Sequence, residues 1–181
     1  MFGLFKRKKP YEQEAIRLYE AVREQSRCSV FYDQLGVPDT TEGRFGVLTL
    51  HMFIFMHCIQ NIEGGDHLSQ SLFDIAFEDI DRGYREIGVG DMGIPKRMKK
   101  LMLGFNGAIH AYEESLKSNE ALKEAIRRNV YMLDTDEENN LDNNTQRFAD
   151  YTEANIHHLQ NHHVAAIMKG DITFLSFDEI K

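Results

Sequence analysis

The sequence predicts an all-α fold, a single-domain bundle of about six helices with a short extended C-terminal segment. Three observations predict it. Apolar residues recur at three- and four-residue spacing through most of the chain, the period of one helix face. The three prolines and the glycine clusters fall between those stretches, leaving long runs free of helix breakers. With 181 residues and 42% hydrophobic side chains, the chain can close one core without disulfides.

The first helix runs over about 11–27, where Tyr11, Ala15, Leu18, Tyr19 and Val22 share a face. Residues 32–43 carry Asp33, Gly36, Pro38, Asp39 and Gly43, which is loop chemistry. Over 44–61 apolar residues cover nearly every face, so this helix belongs at the centre of the bundle. Gly64-Gly65 follows as a stop. Leu68, Leu72, Ile75, Ala76, Ile80, Tyr84 and Ile87 make the stripe of the next helix, which ends at Gly88. Pro95 then sits where a first helical turn tolerates it. Met98, Leu101, Met102, Phe105, Ala108, Ile109, Tyr112 and Leu116 form the buried stripe of that helix. Ser118 or Asn119 caps a shorter helix with Leu122, Ala125 and Ile126 inward. Residues 133–146 are acidic and asparagine-rich and read as an exposed loop. A last helix over about 144–169 ends at Gly170, and 171–177 is either a short strand or an extended tail packed on the bundle.

The net charge of −8 excludes a polybasic nucleic-acid binder, so no nucleic-acid partner is expected. Cys28 and Cys58 make no disulfide scaffold and suit a reducing compartment. The apolar run at the start is too short for a signal peptide, and Phe2 excludes myristoylation. Residues 45–59 fall short of the roughly 20 that a bilayer span needs. A cytoplasmic protein is expected, at most peripheral to the inner face of a membrane. Residues 1–10 form a basic tail, and 11–181 the helical domain. Lys6, Arg7, Lys8 and Lys9 beside Phe2, Leu4 and Phe5 can hold an anionic membrane surface. The alternative is a solvated, frayed terminus.

Gly88-Val89-Gly90-Asp91-Met92-Gly93 matches the GxGxxG pattern, but a helix precedes it where a dinucleotide site needs a strand. The cations Lys96, Arg97, Lys99 and Lys100 then open a helix, where they oppose its dipole. The nearer offset is internal, from Glu78, Asp79, Asp81, Glu86 and Asp91 across the turn. The other is an external anion or lipid headgroup. Among the histidines, His158 and His162 share a helix face and raise a metal or cofactor site, while His163 falls on the core stripe. Two ligands hold a metal only loosely, no HExxH occurs, and no cofactor is expected. His51 and His57 are expected as hydrogen-bonded buried residues. No GxSxG, GxxxxGK[ST] or CxxC is present, so nothing marks an enzyme.

Two stretches are more specific. One is Tyr32-Asp33-Gln34-Leu35-Gly36-Val37-Pro38-Asp39-Thr40 with Gly43-Arg44-Phe45, leading to Leu50-His51. The other is Leu72-Phe73-Asp74, Phe77-Glu78-Asp79-Ile80-Asp81, then Arg85-Glu86-Ile87-Gly88-Val89-Gly90-Asp91 and Pro95-Lys96-Arg97-Met98-Lys99-Lys100. Together they resemble the ubiquinol–cytochrome c chaperone family, closely over about 32–112, and the length resembles its bacterial members. The resemblance implies a non-enzymatic assembly factor for respiratory complex III. Its partner would be newly made cytochrome b or another complex III subunit. On these stretches we expect a partner-binding set: Asp33, Asp39, Arg44, Asp74, Asp79, Asp81, Arg85, Glu86, Gly88, Gly90, Asp91, Lys96, Lys99 and Lys100. Within it, Arg85 either recognises charged loops of the client or ties the turn to Asp33 or Asp39. Residues 53–60 lack the arginines of relatives, and Ala108 replaces their basic residue after Gly107. Met98 and Met102 are expected in the core, on the buried stripe.

Overall fold

The structure, a computed structural model, describes residues 11–133 and 142–180. The basic tail at 1–10 and most of the acidic loop lie outside the described residues. Six long helices carry the fold: α1 (Glu12–Ser26), α3 (Thr41–Ile59), α4 (Gly65–Glu86), α5 (Ile94–Ser115), α6 (Asn119–Asn129) and α7 (Asp142–Gln160). Two single-turn helices, α2 (Val30–Asp33) and α8 (Val164–Ile167), and a 3-10 turn at Phe177–Glu179 complete the described elements, none of which is a strand.

Helix α3 is the centre, as its all-round apolarity predicts. It packs against α1, α4, α5 and α7, and Val47, Leu50, Met52, Phe53, Ile54 and Phe55 are all buried. It approaches the end of α6 closely at Gly46, where an added Cβ would lie 2.4 Å from the Asn129 carbonyl oxygen. It starts three residues before the predicted Arg44, because the Thr40 hydroxyl accepts a hydrogen bond from the Gly43 N–H at 3.1 Å. Ser118 caps α6 the same way, accepting from the Ala121 N–H at 3.2 Å. Asp142, expected in the acidic loop, opens α7 and pairs with Lys123 of α6 at 2.9 Å. Among the described residues, no helix is long and apolar enough to cross a membrane.

Three expectations are corrected. The early loop begins as helix α2, which buries Phe31. The last helix is broken: α7 stops at Gln160, and His163 is extended and exposed where a core histidine was expected. The break lets α8 fold back onto α1. Ile167 is buried there, Arg17 donates to the Lys169 carbonyl at 2.6 Å, and Gly170 (φ 76°) lies so close that a Cβ would sit 2.5 Å from the Glu14 oxygen. Last, Met102 is surface-exposed and only Met98 of that pair is buried.

The C-terminal segment is the extended tail of the two alternatives. Asn155 accepts from the Leu175 N–H at 2.8 Å, and the Phe177 ring stacks on Tyr151 at 5.3 Å. Beneath it lies His51, fully buried. Its Nδ1–H donates to the Val47 carbonyl at 2.8 Å, so Nε2 accepts from the Tyr151 hydroxyl at 2.9 Å.

Candidate functional site

Helix α1 ends at Ser26, while α4 runs beside it in the same direction and continues to Glu86. The last turns of α4 therefore lose their cover. Ile80 and Tyr84, predicted as core, are half-buried, and Ile87 is 75% exposed. This opens a cleft of about 350 Å³ between α1, α3, α4 and α5. Phe45, Leu48, Ile80, Tyr84 and Leu101 supply apolar lining, and Arg23, Arg27, Arg44 and Asp79 add charge.

Asp79 is the best-held charge. Tyr19 donates to its carboxylate at 2.8 Å, Arg82 pairs with it, and Arg23 lies 3.7 Å away. Burial raises its pKa, but the hydrogen bonds from Tyr19 and Arg82 and the two cations outweigh burial and keep it below its usual value. Burial and the Asp79 carboxylate push the Tyr19 hydroxyl up. Across the cleft Arg44 pairs with Asp39 and lies 5.1 Å over the Tyr32 ring.

The remaining sequence-predicted residues fall elsewhere. Asp33 is exposed at the end of α2. Asp74 lies on α4 and accepts from Gln70 at 2.8 Å. Glu86, Gly88, Gly90 and Asp91 form an exposed tip between α4 and α5, where Gly88 has φ 80°. Arg85 does not reach Asp33 or Asp39. It pairs with Asp81 at 2.7 Å and Asp91 at 2.9 Å, tying α4 to the tip. Lys96, Lys99 and Lys100 are exposed, and the internal pairing expected for them is not formed among the described residues. Arg97 lies 5.6 Å over the Tyr84 ring. The predicted set is thus divided, with Arg44 and Asp79 at the cleft and Glu86, Gly88, Gly90 and Asp91 at the tip. The sequence reading missed Tyr19, Arg23 and Arg27, and no spacing signal ties α1 to the signature.

Because the Arg85 pairs are solvent-exposed, they add little to stability. Arg85→Ala is expected to leave the melting midpoint almost unchanged, as a thermal scan will show. A large drop would mean the pair is a structural joint after all.

His158 and His162 do share a face, with rings 4.5 Å apart. His158 Nε2 faces the Thr173 carbonyl at 3.1 Å and His162 Nδ1 the His158 carbonyl at 3.1 Å. No group of three metal-ligating side chains occurs among the described residues. His57, half-buried, bonds Glu113 at 2.9 Å.

By architecture the chain is an all-α module whose candidate site is a cleft with charged groups at its edge. A family model described as ubiquinol-cytochrome C chaperone matches residues 33–174, and the chain belongs to that family. A crystal structure of the Cbp3 homolog from Brucella abortus is similar at 33% identity, with a TM-score of 0.80 over 94% of this chain and 93% of that one. Ubiquinol-cytochrome-c reductase complex assembly factor 1 of Xenopus laevis is 23% identical over 130 residues, 71% of this chain and 65% of that protein. The Mus musculus protein of the same description is 24% identical over 107 residues, 59% of this chain and 36% of that protein. The matched regions therefore span about two thirds of the first relative and about a third of the second.

Proposed function

We propose that this chain is a non-enzymatic chaperone for assembly of ubiquinol–cytochrome c reductase, with newly made cytochrome b or another subunit of that complex as client. The family match carries the reading, because it spans the tip and the α3, α4 and α5 walls of the cleft. The cleft fits the role. Its apolar lining can take the apolar face of a client segment, and Arg23, Arg27 and Arg44 can hold acidic residues beside it. Residues 11–181 act as one chaperone domain with 1–10 as a basic tail. The protein works on the cytoplasmic side, peripheral to the membrane into which its client inserts.

Deletion of the gene tests this. Reduced-minus-oxidised spectra of native membranes are expected to lose the cytochrome signals of the reductase, and the wild-type chain to restore them. Spectra and reductase activity untouched by the deletion would remove the reading. In the same strain, Tyr84→Asp is expected to fail to restore the reductase while still accumulating as a folded protein.

A further inference from the structure

Between Met92 and Tyr112 the chain carries Lys96, Arg97, Lys99 and Lys100 and no acid, in a protein of net charge −8. Two acids of α4 are occupied elsewhere: Asp79 by Tyr19, Arg23 and Arg82, and Asp81 by Arg85. At the tip, Asp91 pairs with the same Arg85, which leaves Glu86 as the acid nearest the lysines in sequence.

Helical spacing sets Lys96, Lys99, Lys100 and Leu103 opposite the buried face of Ile94, Met98, Phe105 and Ala108. Leu103, at the middle of that outward face, is 64% exposed. At the tip Met92 is 96% exposed, and with Ile87 and Arg97 it lines one shallow hollow. Packing explains none of these apolar exposures. Leu103 set among lysines, beside a tip that exposes Met92 and Ile87, is the composition of a surface that enters a lipid interface.

We propose that the α4–α5 tip and the outward face of α5 dock the protein on an anionic membrane surface. The lysine ammoniums meet headgroup phosphates, while Met92 and Ile87 reach the acyl boundary. Lysines are mobile point charges and suit an array of phosphates with no fixed geometry; a shaped carboxylate site on a protein favours the arginine fork. Ile87 lines both the tip hollow and the cleft. A docked tip therefore brings the mouth of the cleft to the bilayer surface. This goes beyond the assembly reading and fails separately from it.

The test is co-sedimentation of the full chain with vesicles of phosphatidylglycerol and phosphatidylcholine, against phosphatidylcholine alone. The wild type is expected to bind the anionic vesicles, less so in high salt. The triple variant K96Q/K99Q/K100Q is expected to lose roughly a hundredfold in partition coefficient. Ile87→Ser with Met92→Ser is expected to lose about tenfold. All five side chains are exposed, so thermal melts should match the wild type. Three results overturn the proposal. One is equal binding to both vesicle types. Another is wild-type binding by the triple variant while removal of residues 1–10 abolishes it. The third is normal vesicle binding by the triple variant with lost capture of the client, which would make this face a protein-docking surface.

Discussion

Phe148→Ala is expected to lower stability by about 3–5 kcal/mol, the usual cost of emptying a buried aromatic site. Phe148 lies on α7, is fully buried, and stacks on Phe31 of α2 at 5.2 Å. Tyr151 and Tyr131 meet its edges at 6.0 and 6.5 Å. The ring therefore joins α2 and the segment after α6 to α7, and three elements border the hole its loss leaves. Neighbouring aromatics on different elements cannot all move inward to fill it. For a chain of this length the melting midpoint should fall by about 10 °C. Urea titration with a fixed slope measures the free energy directly. A loss under about 1 kcal/mol would show that this cluster is not packed as described.

Acid should destabilise the protein through His51. Burial pushes its imidazole down to about 4 from an ordinary 6.5, although the bond to the Val47 carbonyl acts the other way. Between those two values the unfolded chain binds the proton and the folded chain does not. Stability is thus fully present above about pH 6.5 and is lost as pH falls towards 4, in total about 3 kcal/mol. The carboxyls of Asp79, Asp142 and Glu179, all held below their usual values, add losses of the same sign in acid. Isolating His51 needs a partner that does not titrate. His51→Gln should be less stable than wild type at pH 7.5, having lost the bond to Val47. The gap should close towards pH 4.5, because only the wild type has an imidazole that takes up a proton on unfolding. Parallel stability curves for the two proteins would contradict the buried neutral imidazole.

Much of this was legible in the sequence. The all-α class, the central place of α3 and the Ser118 cap follow from spacing and from hydrogen bonds made within a few residues. So does the outward face of Lys96, Lys99 and Lys100, since helical period alone sets it opposite Met98 and Phe105. The signature stretches told the family before any coordinates did.

Other features had no local signal. The stripe of α4 is continuous to Ile87, yet its end is bare because α1 stops at Ser26. The stripe of α5 includes Met102, which lies on the exposed surface. Helix α7 stops at Gln160, and the chain beyond it turns so that Gly170 lies against Glu14 of α1. The acids and bases of the signature look like one patch along the chain, but Arg44 and Asp79 go to the cleft and Arg85 with Asp91 to the tip. Period and capping are properties of one segment, so the sequence by itself determined the helices and which side chains share a face. What covers each face is a property of two segments, and only the tertiary structure decided that, because burial energy depends on where the neighbouring helix ends.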